Sequence, residues 1–553
     1  MDIRRTVLWV VFSLSLLMLW DKWQQHNGKP PMLFPGTSEQ AKPAGSGVTG
    51  NANSAALPSV AGTPSAAIGI DAANAAAALK GETISIVTDV FKADIDTQGG
   101  EIKRLELLKH KDTVDKTKNI VLFDNSTSRT YLAESGLIGG AFPSHKTVFV
   151  ARPGARTMDA TGSLQLILDA EQGGVKLTKT YTFKSGDYHI DLKHDVTNVG
   201  ETAVTPSVYL QLVRDGSKPE GESSFYSTFT GPAVYTDEQK FQKLTFEKIE
   251  KGTEEHASKA DNGWIALVQH YFVSAIILPQ KTPREIFTKK IATNLYAVGT
   301  IVSLGSIAPG ASASLDSLLY SGPQESAVLE QTAPGLDLVK DYGWLTIIAK
   351  PIFWLMTQIH NILGNWGWTI IVLTMLIKLA FFPLSAASYR SMAKMKMVTP
   401  KMTDIRERFK GDPQKMNQAM MALYKTEKIN PLGGCLPIVV QIPVFISLYW
   451  VLLASVEMRN APWLGWIQDL ASPDPYFILP VLMAVSMFVQ TKLNPKPPDP
   501  MQAKVMMFMP IIFSVMFFFF PSGLVLYWVV NNVLSIAQQW VITKKAERQF
   551  KPA

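Results

Sequence analysis

The sequence has few of the residues that form common catalytic and metal sites. It contains a single cysteine, Cys435, which excludes an intramolecular disulfide, a cysteine zinc cluster and a CxxC redox centre. No GxxxxGK[ST] loop occurs, and no GxGxxG lies in a strand–turn–helix setting. The one close pair of histidines, His189 and His194, lies in a strand-like stretch, where we interpret it as a surface pair. We therefore predict no catalytic residue, no metal site and no cofactor.

Charged residues are also scarce, and they are distributed unevenly. They make up 18% of the chain, against about 25% in ordinary soluble proteins. Residues 81–330 contain 26 Lys+Arg and 31 Asp+Glu, a net charge of −5, so a whole-chain charge of +7 leaves +12 for the remainder. The alternative reading of a high pI is nucleic-acid binding, but the basic residues here flank long apolar runs. This pattern predicts an acidic soluble part and a basic membrane part in two compartments.

Six apolar runs are candidates for membrane spans. A bilayer is crossed by about 20 apolar residues in a helix, and the candidate spans are Thr6–Trp20, Trp366–Leu384, Leu436–Val456, Tyr476–Val489, Val505–Phe520 and Leu524–Ile542. The first run also has the length of a signal-peptide apolar region, but no small-x-small cleavage site follows it closely. We therefore predict that residues 1–23 form an uncleaved anchor.

The loop charges predict how the spans are oriented. Residues 388–430 carry ten Lys+Arg and four Asp+Glu, whereas residues 457–475 carry one Arg and three acids. Because basic loops stay in the cytoplasm, the first loop should face inward and the second outward. We predict a six-span inner-membrane protein with both termini in the cytoplasm and the large acidic domain in the periplasm.

The periplasmic domain is predicted to be a β-sandwich. Residues 36–80 are rich in Ala, Gly, Ser and Pro, and we predict a flexible linker over residues 24–80. In residues 81–335, Phe91–Asp96 alternates apolar and polar residues, as a half-buried strand does. Tyr181–Lys184 and Tyr188–Lys193 alternate again on either side of a Ser-Gly-Asp sequence, which predicts a β-hairpin. Many short strands with few helical patterns favour a sandwich.

Residues 336–364 have a different pattern. They are mostly apolar, but polar residues recur at helical intervals, at Thr346, Lys350, Thr357 and Asn361. This predicts an amphipathic helix in the membrane interface, with a break at Pro351. The alternative, a seventh span, would conflict with the orientation that the loop charges predict.

Lys378 is the most informative residue of the membrane part. A lysine at mid-membrane costs ~2.5–3.5 kcal/mol on insertion scales, and Lys378 has apolar neighbours on both sides. Either it snorkels to the nearby end of its span, or it faces water or a partner. Thr374 lies one turn earlier on the same face, Gln441 lies in the next span, and no span contains a carboxylate. We therefore predict a hydrated, positively charged cavity.

The last span carries a polar stripe at i, i+4 spacing. Its members are Asn531, Asn532, Ser535, Gln538 and Gln539. Such stripes can line a wet groove, and they can also hold helices together through hydrogen bonds. We predict that Asn531, Asn532 and Ser535 line the groove with Lys378.

Residues 385–430 predict a helical hairpin in the cytoplasm. Asp412 followed by Pro413 is a helix start, with Asp as the N-cap and Pro at the first helical position. The hairpin is basic and rich in methionine, a side chain that suits adaptable apolar contacts. We predict contacts with partners through Met392, Lys394, Met395, Lys396, Met420 and Met421. The alternative is that the methionines form a plain hairpin core, while the basic face meets lipid headgroups or ribosomal RNA.

Several long motifs resemble one known family. They are LDLVKDYGWL, SMAKMKMVTPKM, MMALYKTEKINPLGGCLPIVVQIPVF, DPMQAKVMMFMP and FPSGLVLYWVVNN. They are similar to the YidC insertases of Gram-negative bacteria, in the wider Oxa/YidC/Alb family. The resemblance covers the whole chain and is densest from Leu336 onward.

The resemblance implies a core of five helices in residues 365–553. In the family these helices surround a groove that is open to the cytoplasm and to lipid and closed to the periplasm. Lys378 matches a position that is usually Arg, which keeps the charge but loses the bidentate fork. Trp528 stands where relatives often have Tyr, beside Tyr527, so both are expected in the groove. The periplasmic domain is expected to resemble a galactose-mutarotase-like supersandwich.

The resemblance also implies the function and the partners. We expect a membrane protein insertase and chaperone that is not an enzyme and acts alone or with the SecYEG translocon and accessory Sec components. Its partners would be nascent membrane proteins and the lipid bilayer, with weak ribosome contact because the tail is short, and no small-molecule substrate. The first alternative, a small-molecule or ion transporter, would require inverted repeats or an intramembrane acid, and we find neither. The second alternative is a membrane-anchored carbohydrate enzyme.

Overall fold

A computed structural model describes residues 81–159, 162–219, 228–427, 436–494, 507–508 and 514–550. Several sequence-based predictions lie wholly or partly outside these residues: the anchor at 1–23, the linker at 24–80, Cys435 and seven residues of the span Val505–Phe520. The chain divides into two compact units between Lys340 and Asp341. The first is built of strands and the second of helices.

The described part of the β unit contains strands with the following bounds: β1 Thr83–Val87, β2 Phe91–Asp96, β3 Glu101–Lys111, β4 Asn119–Asn125, β5 Thr130–Ile138, β6 Val150–Ala151, β7 Ser163–Gln172, β8 Val175–Lys184, β9 His189–Asn198, β10 Ser207–Asp215, β11 Gly231–Thr236, β12 Lys240–Lys243, β13 Lys259–Ala260, β14 Trp264–Gln269, β15 Phe272–Ile277, β16 Arg284–Ala292, β17 Leu295–Ser303 and β18 Ser312–Pro323. Two short helices accompany them, α1 (Phe246–Lys251) and α2 (Ser326–Thr332).

These strands form two nine-stranded antiparallel sheets, which confirms the predicted sandwich. One has the order β1-β2-β3-β4-β5-β10-β17-β16-β13, and the other has the order β12-β11-β14-β15-β18-β9-β8-β7-β6. The predicted strand Phe91–Asp96 is β2, with alternate residues buried. The predicted hairpin is β8–β9, whose register pairs Phe183 with Ile190 across a turn at Gly186, where φ is +71°.

The interior of the β unit contains a group of ionisable side chains. Lys179 is fully buried, and its Nζ donates to the carbonyl oxygens of Gly99 at 2.7 Å and Ser135 at 2.8 Å. Burial lowers the pKa of Lys179 to about 7, against an opposing effect of the nearby carboxylates Glu101 and Glu134. The pKa values of both carboxylates are raised, chiefly by the same burial. Burial in this core therefore disfavours the charged forms of all three side chains.

The prediction that His189 and His194 form a surface pair is wrong. His194 is fully buried in β9, with its Nε2 2.9 Å from the Ser135 hydroxyl, whereas His189 is half-buried and contacts Thr332 through its Nε2 at 2.8 Å. Residues five apart on a strand point to opposite faces, so the two rings cannot act together. Among the described residues, no cluster of His, Cys, Asp or Glu could hold a metal ion.

The helical unit contains these helices in its described residues: α3 Thr346–Leu363, α4 Trp366–Ala380, α5 Phe382–Arg408, α6 Pro413–Thr426, α7 Leu436–Ala454, α8 Ile478–Leu493 and α9 Ser522–Phe550. An apolar core joins α3, α4, α7, α8 and α9, with Met356, Leu373, Val451 and Met483 among its fully buried members. As predicted, α6 begins with Asp412 as its N-cap, since the carboxylate accepts the Lys415 N–H.

Two predicted boundaries differ from the structure. The span Trp366–Leu384 is not one helix: α4 ends at Ala380, and α5 begins at Phe382 with a bend of 67°. Pro383 explains the break, because its ring would clash with the carbonyl of Leu379 in a continuous helix. The helix predicted for residues 336–364 begins at Thr346, and it continues through Pro351, so the predicted break there is wrong.

Among the described residues, no single helix is both long and apolar enough to cross a membrane alone. The bent pair of α4 and α5 meets that length and composition together. The apolar helices Val440–Ala454 and Ile478–Leu493 are shorter.

The connection between α7 and α8 ties several helix ends together. The amide of Asn365, at the start of α4, donates to the Pro462 carbonyl at 3.0 Å. Near the start of α9, the Ser522 N–H donates to the Ser472 carbonyl at 2.8 Å. Gly367 lies so close to Trp463 that an added Cβ would be 2.1 Å from the indole Cδ1. This end of the bundle is therefore closely packed.

We predict that Gly367→Ala destabilises the helical unit by ~1–3 kcal/mol, the usual cost of overpacking a core. The added methyl must displace Trp463, so thermal unfolding of the detergent-purified protein should begin at a lower temperature. The double variant Gly367→Ala/Trp463→Ala is the control, since it removes the ring that is struck. If Gly367→Ala lowers the stability as much in the Trp463→Ala background as it does in the wild type, the proposed clash is absent.

We predict that acid destabilises the region around His194. Burial, and secondarily Lys179, lowers the pKa of His194 well below its usual range. Below about pH 6.5, the unfolded chain therefore binds a proton that the folded chain does not. Relative to His194→Gln, the wild type should lose up to ~1.4 kcal/mol of stability per pH unit below that value. Glu101 and Glu134 have the opposite effect, because their raised pKa values make the folded state more stable as the pH falls. This effect is the same in the wild type and in His194→Gln, so it cancels in the comparison.

Hydrogen exchange of the full-length protein, corrected for intrinsic rates, measures this difference in peptides from β8 and β9 at pH 7.5 and 5.5. Identical pH dependence in wild type and His194→Gln would show that His194 is not the source of the acid sensitivity.

Candidate functional site

Lys378 lies in the last turn of α4, and its side chain is buried inside the helical unit. It is 6% exposed, and its Nζ donates to the Ser535 hydroxyl on α9 at 2.7 Å. Among the described residues, no carboxylate forms an ion pair with it. An ammonium carries three N–H donors, and a single described acceptor accounts for one of them. The geometry therefore places a cation in the interior with capacity for further acceptors.

Around this lysine, polar side chains come from four helices. Ser535 donates to the Asn531 carbonyl at 2.7 Å, and its hydroxyl lies beside the phenol of Tyr389 of α5. Asn531 in turn accepts from the Gln441 amide on α7 at 2.8 Å. We call Lys378, Tyr389, Gln441, Asn531 and Ser535 the polar cluster. It connects α4, α5, α7 and α9 through side-chain contacts.

The two aromatic candidates border this cluster in different ways. Tyr527 is 1% exposed, and its phenol lies beside the Gln441 side chain. Trp528 packs edge-on against Phe445, with ring centroids 4.4 Å apart. Its indole N–H is buried and has no acceptor among the described residues. The Trp ring therefore contributes apolar surface beside the polar cluster.

The polar stripe of α9 divides between two faces. Asn531 and Ser535 belong to the polar cluster, whereas Asn532 donates to Ser486 of α8 at 3.2 Å. Gln539 lies with Asn532 and donates to Asn494 at 3.0 Å. Thr374 is buried near Lys378, but its hydroxyl donates to its own helix, at the Ile370 carbonyl. Asn532 is thus placed in a helix–helix contact rather than beside Lys378.

The methionine-rich helices α5 and α6 pack through a small apolar core of their own. Val398 and Met402 are its buried centre, and the partly buried residues packed against it are Met395, Met420, Leu423 and Tyr424. Met421 is 55% exposed and lies outside this core. Met392 and Lys394 are half-buried, and Lys396 is exposed. The predicted contact residues are therefore divided between packing and surface positions.

Sequence reasoning missed Tyr389 and Ser486. Tyr389 follows Lys378 by eleven residues, across the bend between α4 and α5, so helical spacing does not relate the two positions. Ser486 is a lone serine in an apolar helix, and its partner Asn532 is distant in sequence. Neither contact has a local signal, because each depends on how helices pack.

Comparisons with known proteins cover the chain from end to end. A family model described as YidC periplasmic domain matches residues 83–355, and one described as 60Kd inner membrane protein matches residues 358–549. The chain is 67% identical to the membrane protein insertase YidC of Janthinobacterium sp. (strain Marseille), over 99% of each chain. It is 65% identical to the protein of the same name from Herminiimonas arsenicoxydans, again over 99% of each.

Among solved structures, the chain matches one titled as an active YidC insertase with its first transmembrane domain resolved. The match covers 82% of this chain and 91% of that one, at 16% identity and a TM-score of 0.39.

Proposed function

The chain belongs to the YidC family of membrane protein insertases, and on that premise we propose that it inserts integral membrane proteins into the inner membrane and helps them fold. The observation that supports a mechanism is the buried ammonium of Lys378, whose acceptor in the described residues is a neutral hydroxyl. A buried cation without a carboxylate is costly unless water or an anion completes its contacts. The polar cluster is therefore a place where a hydrophilic segment can reside inside an apolar bundle.

The proposed mechanism requires no chemical step. A short hydrophilic tail of the substrate enters the groove from the cytoplasm, and the apolar segment that follows moves along the helix faces into lipid. A charge at the bilayer centre costs ~2.5–3.5 kcal/mol on insertion scales, so a wet groove lowers the barrier by shortening the dry path. Carboxylates in the tail are attracted by Lys378. Burial of the apolar segment provides the driving force.

Exposed apolar surfaces support contact with lipid. On α8 the side chains of Val481, Leu482 and Val485 are all about half exposed, which is costly in water and favourable in a bilayer. On α3, Ile347, Trp354 and Ile362 are exposed beside the polar residues Lys350 and Asn361. This mixed face supports a position of α3 in the membrane interface.

We assign a topology of six spans with both termini in the cytoplasm and the β unit in the periplasm. It is supported by the loop charges, which are +6 for residues 388–430 and −2 for residues 457–475. The basic pair α5 and α6 would then face the cytoplasm and meet nascent chains, lipid headgroups or, weakly, the ribosome. Cooperation with the SecYEG translocon is part of the same proposal and rests on the family.

We predict that insertion of acidic-tailed substrates depends on the charge of Lys378. Lys378→Arg should be tolerated, whereas Lys378→Met, which keeps an apolar stem without charge, and Lys378→Glu should impair insertion. One charge pair at 4 Å contributes ~1 kcal/mol even in bulk water and more at lower dielectric, so we expect at least roughly a fivefold loss. Protease protection of the translocated tail, at matched expression of each variant, measures insertion.

A paired substrate with a neutral tail is the control. Its insertion should change little with Lys378→Met, and the loss for acidic tails should grow with the number of carboxylates. If wild type and Lys378→Met insert both substrates equally, the electrostatic role of Lys378 is refuted, although the family assignment is unaffected.

The topology yields a separate prediction. Gln418 and Gln468 are exposed and lie in the two loops of opposite charge. In a Cys435→Ser background, Gln468→Cys should react with an impermeant thiol reagent in cells whose outer membrane is permeabilised, and Gln418→Cys should react only after lysis. Labelling of both positions before lysis would contradict the six-span arrangement.

A further inference from the structure

The hydroxyl of Ser535 both donates and accepts hydrogen bonds within the protein. A serine hydroxyl has one donor and two acceptor sites. Its donor is directed to the Asn531 carbonyl at 2.7 Å, and it accepts from Lys378 Nζ, also at 2.7 Å. The phenol of Tyr389 lies beside the same hydroxyl. The donor and one acceptor site of Ser535 are therefore used within the protein, and the residue is buried.

The position of the Lys378 ammonium depends on these contacts. A lysine side chain has four rotatable bonds and a flexible stem, so it can adopt an extended form that reaches for the end of its span. Here the side chain of Lys378 is buried, and its hydrogen-bond acceptor among the described residues is the Ser535 hydroxyl. Ser535 is 3% exposed, and it is held by α9 through Asn531 and by α5 through Tyr389. Three helices thus determine where the charge lies.

We propose that Ser535 and Tyr389 are positioning residues, which hold the Lys378 ammonium inside the groove so that its remaining N–H donors can bind carboxylates of a substrate tail. The inference rests on the proposed function, since it assigns how the charge at that same site is presented. It differs from a lining role because Ser535 acts only through Lys378. Tyr389 acts one step further away, through Ser535.

Serine and tyrosine variants test this assignment in the full-length protein. The readout is the ratio of acidic-tail to neutral-tail insertion, measured by protease protection at matched expression. Ser535→Ala should lower that ratio about three- to tenfold, the loss expected for the net contribution of one hydrogen bond. Ser535→Thr keeps the hydroxyl and should restore the ratio. Tyr389→Phe, which is conservative in shape, should lower the ratio by a smaller factor.

Ser447→Ala is the matched control. Ser447 is also fully buried in the helical unit, but its hydroxyl donates to the Pro443 carbonyl of its own helix. This substitution removes a similar buried hydroxyl without touching the polar cluster, so the ratio should stay at the wild-type value. Lowering of the ratio by Ser447→Ala would show that the assay reports general destabilisation, and it would overturn the positioning role.

A double-mutant cycle with Lys378→Met distinguishes a failure of the positioning role from a failure of the proposed function of the charge. If Ser535 acts through Lys378, Ser535→Ala adds no further loss of the ratio in the Lys378→Met background. An additive loss there, or an equal loss for acidic and neutral tails in the single variant, overturns the positioning role alone. An unchanged ratio in Lys378→Met itself overturns the proposed function of the charge, and this inference with it. Should Ser535→Ala fail to accumulate, Tyr389→Phe carries the same cycle.

Discussion

A buried ammonium must be given hydrogen-bond acceptors, and this requirement organises the polar interior of the helical unit. Lys378 is held by Ser535, which requires α9 to approach α4 closely at this level. The i, i+4 spacing of Asn531 and Ser535 places both on the same face of α9. The bend after Ala380 allows Tyr389 of α5 to return to the same hydroxyl. Without the ammonium of Lys378, nothing would require the polar groups of these three helices to lie together.

The chain solves the problem of a buried lysine in two ways. In the β unit, Lys179 has two backbone carbonyls as acceptors, with Glu101 and Glu134 nearby. In the helical unit, Lys378 has one neutral hydroxyl and no described carboxylate partner. The first arrangement largely satisfies the lysine within the fold, whereas the second leaves donors for an external group. Because more of the N–H donors of Lys179 than of Lys378 have acceptors within the protein, we infer a structural role for Lys179 and a binding role for Lys378.

The two ends of α4 have opposite characters. At its start, Gly367 packs so closely on Trp463 that an added Cβ would have to displace the indole ring, and the α7–α8 connection holds neighbouring helix ends by backbone hydrogen bonds. Eleven residues later, or about 16 Å along the helix, Lys378 lies among polar side chains. One end is thus closely packed, and the other carries the polar cluster. This asymmetry fits a groove that opens toward one side of a membrane.

The spacing of apolar residues and the distribution of charge along the sequence were enough to predict much of this structure. Alternation predicted β2 and the β8–β9 hairpin, the Asp412-Pro413 pair predicted the start of α6, and an unpaired lysine in an apolar run identified Lys378, because each of these signals is local in the chain. The tertiary structure alone decided that Lys378 contacts Ser535, that Asn532 faces α8 instead, and that Tyr389 joins the cluster. It also decided that His194 is a core residue. Such contacts join residues that are far apart in sequence. They depend on which faces of the helices and sheets pack together, and local sequence patterns do not encode that packing.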